Sequence, residues 1–158
     1  MLGSWLGLLP IFPALIIFYE DFQSRKISVI WIAIFAVSII TTSLLLDNWN
    51  IIVLHVICNI SLLIIVLGGA FIWRLFCFGY SIETKARTYI GAGDIIMMFI
   101  IGPLFSPVEY ISFLLFSSVS GLIWWGLSRS YSNEKTIPLA GIMALILIGI
   151  SLYRSFLL

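Results

Sequence analysis

Two aspartates in this chain sit where chemistry would need them. Asp94 closes Gly91-Ala92-Gly93-Asp94 and opens onto Ile95-Ile96-Met97-Met98-Phe99-Ile100-Ile101, a run apolar enough for a bilayer. An ionisable group at such a depth is costly, and it is a functional-site candidate by default. Gly91 and Gly93 let the backbone pass close to a neighbour and give access to φ > 0. The plainer reading of this tetrapeptide is an Asp near a helix start, acting as a cap. Asp21 stands in the polar cluster Glu20-Asp21-Phe22-Gln23-Ser24-Arg25-Lys26. Its plainer reading is an acid at the membrane edge, paired with Arg25 one turn on. Two carboxylates held close share one proton and titrate as a unit. One then acts as base on a water while the other donates a hydrogen bond to a carbonyl oxygen, which is aspartic-protease chemistry. The helix dipoles divide the roles: Asp94 at a helix N-terminus is favoured as the anion, Asp21 at a C-terminus as the neutral acid, with Arg25 and Lys26 opposing the latter.

The elements that must position these acids follow from composition. The 158 residues are 62% hydrophobic and 9% charged, with a mean hydropathy of +1.20. A soluble domain of this size cannot hide that much apolar surface. The apolar runs are continuous, where a barrel would alternate, so the fold class is an all-α integral membrane protein. The net charge of +1 and the lack of a basic block give no sign of nucleic acid. Six transmembrane helices are predicted, over residues 3–19, 28–46, 51–73, 94–105, 108–128 and 137–153, in a single membrane-embedded domain spanning 1–158. Pro10 and Pro13 are expected to bend the first. The fourth has about 12 residues where about 20 would span the core, so it is expected to start within the membrane, or to be re-entrant. The link 75–93, with Glu83, Lys85 and Arg87, is the longest.

Charge sets the orientation. Arg25, Lys26, Arg74, Lys85, Arg87, Arg129 and Lys135 follow the first, third and fifth helices; of the eight Lys and Arg, only Arg154 falls on the other side. The positive-inside rule then puts both termini outside and those links in the cytoplasm. Asp21 and Asp94 come to the same face. Asp47 and Glu109 fall on the opposite one, and Glu20, Glu83 and Glu134 remain as other cytoplasmic acids. Glu20 is the alternative partner for Asp94, one residue from Asp21 and on a different side of its helix. His55 lies near the outer end of the third helix and reads as a hydrogen-bonded interhelical residue rather than a ligand. Gly68-Gly69 and Gly102 read as sites of close helix packing, and Pro138 suits the first turn of the last helix. Cys58 and Cys77 form no Cys-x-x-Cys pair, and two carboxylates make a poor transition-metal site, so neither metal nor cofactor is expected.

Asp21-(x)3-Arg25-Lys26-Ile27 after a first helix, then Gly91-Ala92-Gly93-Asp94 opening a later one, then Lys135-Thr136-Ile137-Pro138-Leu139-Ala140 before the last, resembles the type IV prepilin peptidase family. These are membrane aspartyl proteases with six core helices and a Gly-x-Gly-Asp signature. The resemblance implies that Asp21 and Asp94 are the catalytic pair. Gly91, Gly93, Arg25, Lys26 and Pro138 would shape the site or hold the substrate. That substrate would be the N-terminal leader of a type IV pilin-like precursor, cut at the cytoplasmic face of the inner membrane. The chain departs from the family where Ser28-Val29 replace Pro-Asn after Ile27, and where Ile95-Ile96 replace a Lys after Asp94. It has no paired Cys-x-x-Cys region of the kind linked to N-methylation in many bacterial members, so cleavage without methylation is expected. Two other classes stay open: a non-enzymatic membrane subunit or small transporter in which the acids bind a cation or relay protons, and an inactive peptidase-like scaffold.

Overall fold

The computed structural model describes residues 7–78, 91–128 and 137–157. They form six α-helices: α1 (Ile11–Ser24), α2 (Val29–Leu46), α3 (Trp49–Phe78), α4 (Ala92–Ile101), α5 (Pro107–Ser128) and α6 (Leu139–Leu157), with a 3-10 turn, Gly102–Leu104, after α4. By length and composition α2, α3 and α5 are apolar enough to cross a membrane. Only 17–22% of each of these spans is buried against the rest of the protein. Their outward faces carry Val37, Ile65, Phe71, Phe116 and Leu122, all largely exposed, as a lipid-facing surface requires.

The centre is built around α6 and α1. On α6, Ala140, Met143, Ala144, Leu147 and Ile148 are buried, a stripe at helical spacing. It packs most extensively on α1, where Ala14 and Ile17 are fully buried, and next on α5. Small residues on both sides of the α1–α6 seam let the two backbones approach closely. Met97 and Ile101 of α4, Phe35 and Ile39 of α2, Leu63 of α3, and Tyr110 and Phe113 of α5 complete the core.

Several boundaries differ from the sequence expectation. α1 begins after Pro10 and continues through Glu20 and Asp21 to Ser24, so the polar cluster forms its last turns and not a link after it. Pro13 falls in the first turn, where its missing N–H would have had no intrahelical partner. The helix ends at Arg25, which adopts left-handed geometry (φ 56°, ψ 23°) and donates its N–H to the Asp21 carbonyl at 3.3 Å. α3 runs 30 residues, past Trp73 to Phe78; at about 1.5 Å per residue it outreaches a bilayer core of about 30 Å. The expected link at 75–93 is shortened accordingly. Glu83, Lys85, Arg87, Arg129, Glu134 and Lys135 lie outside the described residues. Gly68 and Gly69 have open space where a Cβ would stand, so they are not sites of close packing.

α4 is short, and its C-terminal carbonyls need partners inside the protein. Asn59 of α3 supplies two, its Nδ2 donating to the carbonyls of Gly102 (2.8 Å) and Phe105 (2.9 Å). The Tyr110 hydroxyl of α5 donates to the Met98 carbonyl at 2.8 Å. Irregular backbone is thus satisfied by neighbouring helices rather than by water, the condition for its presence in an apolar surround.

Candidate active site

Asp21 faces the protein interior from the last turn of α1 and is only 7% exposed. Its Oδ2 accepts the Gly141 N–H at 2.7 Å. Asp94, at the third position of α4, is half-buried. Its Oδ1 accepts the Ala140 N–H at 2.8 Å, and its Oδ2 accepts the Gly91 N–H at 3.0 Å. Two carboxylates from distant parts of the chain therefore rest on consecutive amides, whose Cα atoms lie about 3.8 Å apart. They are close enough for the charge of Asp21 to act on Asp94.

The last helix explains the meeting. The first amides of a helix have no intrahelical acceptor. α6 is preceded by Pro138, which offers no side-chain oxygen to cap it. Asp21 and Asp94 take that task, at the end of the helix dipole that favours negative charge. For Asp21, burial works against the anion while the Gly141 N–H and the Arg25 charge favour it. Asp94 accepts two amide N–H groups, one from Gly91 and one from Ala140. Besides the dipole of its own helix, each acid therefore feels the dipole of α6.

The glycines act through closeness. A Cβ on Gly141 would stand 2.9 Å from Phe22 Cδ2 and 3.1 Å from Asp21 Oδ2. The Phe22 ring has little freedom to retreat, with Phe18 at 4.6 Å on one side and Trp124 at 5.0 Å on another. A Cβ on Gly91 would lie 3.1 Å from Asp94 Oδ2, and one on Gly93 would lie 3.3 Å from Ile27 Cδ1. Neither Gly91 nor Gly93 uses positive φ: Gly91 is extended (φ −67°, ψ 147°) and Gly93 lies inside α4.

The other candidates fall into place around the pair. Arg25 ends α1 and lies near enough to favour charge on Asp21. Lys26 is exposed and forms no salt bridge among the described residues. Glu20 points into the turn that follows, its Oε2 accepting the Ser28 N–H at 2.8 Å. That bond commits Glu20 to tying α1 to α2 and separates it from Asp94. Pro138 stands just before α6 rather than in its first turn, and its carbonyl accepts the Ile142 N–H at 3.1 Å. Asp47 is exposed at the end of α2, and Glu109 pairs with Arg154 at 2.9 Å at the far end of the bundle. His55 was expected to be hydrogen-bonded, yet its Nδ1 is buried with no partner among the described residues. Those residues hold no group of three or more His, Cys, Asp and Glu placed to bind a metal ion.

Sequence reading missed Gly141 and Asn59. The signal for Gly141 was the small pair Ala140-Gly141 two residues after Pro138; for Asn59 it was an amide side chain amid an apolar run. Comparison of the chain with protein-family models, with curated proteins and with solved structures gives no match.

Proposed function

We propose that this chain is a membrane aspartyl endopeptidase of the prepilin-peptidase kind, with Asp21 and Asp94 as its catalytic pair. The observation that carries the reading is the seating of both carboxylates on the adjacent amides of Ala140 and Gly141. That arrangement puts two acids side by side, one buried and one half-buried, as shared-proton chemistry requires. Asp94, held by two amides, serves as the base that takes a proton from water. Asp21, the more buried, carries the shared proton and hydrogen-bonds the scissile carbonyl oxygen. Water adds to the carbonyl carbon; the tetrahedral intermediate then collapses, and the leaving amine takes up a proton from the pair.

In this reading all six helices are embedded in the inner membrane, with both termini outside. α4 starts below the cytoplasmic surface, because about 15 Å of helix covers only half of a core about 30 Å thick. The substrate is the leader of a pilin-like precursor, met at the cytoplasmic face where its apolar helix enters the bilayer. Arg25 and Lys26 stand at that face to hold acidic features of the substrate.

The test is a cleavage assay in membranes. A pilin-like precursor is co-expressed with the wild type, Asp21→Asn or Asp94→Asn, and its N-terminus is read by mass spectrometry. Shortening by the wild type and loss in both variants, with insertion intact, supports the dyad. Cleavage surviving either substitution sinks it. No cleavage of several cognate precursors by the wild type moves the cation-binding or scaffold reading ahead.

A further inference from the structure

The end of the bundle away from the carboxylates holds a feature that the peptidase reading does not use. An open groove of about 750 Å3 runs between α5 and α6. Its volume is in the range of small-molecule sites. One wall is formed by Val108, Ser112 and Phe116 of α5, the other by Ile146, Ile150 and Tyr153 of α6. On each helix the lining extends about two turns, roughly 12 Å along the axis. Almost all of it is apolar, and Phe116 and Tyr153 are largely exposed.

The charged groups lie at one end only. There Arg154 Nη2 donates to Glu109 Oε1 at 2.9 Å, and both side chains remain well exposed, at 39% and 50%. Glu109 is fixed in place by Ser106, whose N–H and hydroxyl both donate to Oε2 at 3.1 and 3.0 Å. Arg154 is steadied over the Phe105 ring, 5.3 Å from its centroid. Most of the guanidinium fork is left for another acceptor, and Glu109 Oε1 keeps a lone pair for another donor. A fixed cation beside a fixed anion, at the head of an apolar channel, complements a phosphate beside an ammonium at the head of an acyl chain.

The second observation is Gly149, in the floor of the groove. A Cβ there would meet nothing within 4 Å, so this glycine serves no close contact between helices. A glycine in mid-helix is destabilising relative to alanine. Here it leaves that stretch of the lining without a side chain.

We propose that the α5–α6 groove is a binding site for a phospholipid with a phosphoethanolamine head. Arg154 takes the phosphate, Glu109 takes the ammonium, and the acyl chain lies over Gly149. The proposal rests on the chain being a membrane protein and is independent of the peptidase reading.

The test uses the full chain purified in detergent and native mass spectrometry. The probes are phosphatidylethanolamine, phosphatidylglycerol and diacylglycerol with identical acyl chains, offered in equal amounts. The wild type is expected to retain phosphatidylethanolamine over both others. Gly149→Leu, which fills the floor, should weaken that retention about tenfold, or 1.4 kcal/mol, with elution volume and helical circular dichroism unchanged. Gly149→Ala, too small to fill the groove, should retain the lipid, and Arg154→Gln should lose the preference for it. Equal retention of diacylglycerol overturns the headgroup assignment, and preference for phosphatidylglycerol does so by showing a net anion site. Undiminished retention in a folded Gly149→Leu variant overturns the location. A lipid-free dimer that Gly149→Leu splits overturns the occupant, since a second copy would then fill the groove.

Discussion

The amides of Ala140 and Gly141 decide how Asp21 and Asp94 behave as a pair, because each carboxylate spends an oxygen on one of them. Removing either acid should lower cleavage by at least 10²-fold, the scale of a positioned acid or base. The wild type should show a bell-shaped pH dependence, since activity requires one proton on the pair: the low-pH limb falls as the base is protonated, and the high-pH limb falls as the shared proton is lost. Each Asn variant that keeps residual activity should lose one limb. A residual rate with the full bell would remove the division of roles. Gly141→Ala is the more searching substitution, for it leaves both carboxylates in the chain. Its methyl group would collide with a boxed Phe22 ring and with Asp21 Oδ2. The expected outcome is a stability loss of about 1–3 kcal/mol and a cleavage rate reduced more than that loss of folded protein explains. Thermal unfolding in detergent and the cleavage assay, run together, separate the two effects.

At the scale of elements, α4 is the piece that most needs outside support. It carries Asp94 at one end; at the other Tyr110 bonds its Met98 carbonyl, and Asn59 bonds the Gly102 and Phe105 carbonyls of the turn that follows it. Asn59→Leu keeps the volume roughly and removes both amide donors. Leaving buried carbonyls unpaired should cost about 1–3 kcal/mol, seen as a lower Tm in detergent. The same variant should lower kcat, because α4 then has nothing on α3 to hold its depth, and Asp94 moves with it. An unchanged Tm and an unchanged rate would show that α4 is held by packing alone. α5 has a different arrangement, with Ser106 and Glu109 closing its start and Pro107 in its first position, so its N-terminus is capped within its own sequence.

At the scale of the whole molecule, α2, α3 and α5 expose most of their apolar surface, and the polar groups collect at two separate ends. Asp21, Asp94 and the opening of α6 gather at one end, while Glu109 and Arg154 meet at the other. The proposed topology makes a direct prediction. Reporter domains fused after Leu158 or before Met1 should be active outside the cytoplasm, and one inserted between Ser128 and Ile137 should be active inside. A reversed pattern would place the two aspartates on the outer face and end the leader-peptidase reading. In a membrane of that orientation, the groove at the Glu109–Arg154 end would open to the outer leaflet.

Hydrophobicity and charge are summed along the chain, so the all-helical class with segments apolar enough to cross a membrane, the six helices and the shared end of the two acids were legible before any coordinates. The bounds of α2 and α5 and the start of α4 were read to within a residue or two for the same reason, since Asp47, Gly91 and Pro107 punctuate them locally; α4 itself ends at Ile101, four residues before the expected 105, and a 3-10 turn takes over. Where α1 stops was not legible, because the polar residues Glu20 to Ser24 are as compatible with a last helical turn as with a link, and burial of Asp21 against α6 decides for the turn. Nor was the anchor of the pair. Backbone N–H groups are the same at every residue but proline, and only their position in space tells which are free to accept a carboxylate. The tertiary structure made that choice by bringing α1 and α4 to the uncapped start of α6, where Gly141 leaves just enough room.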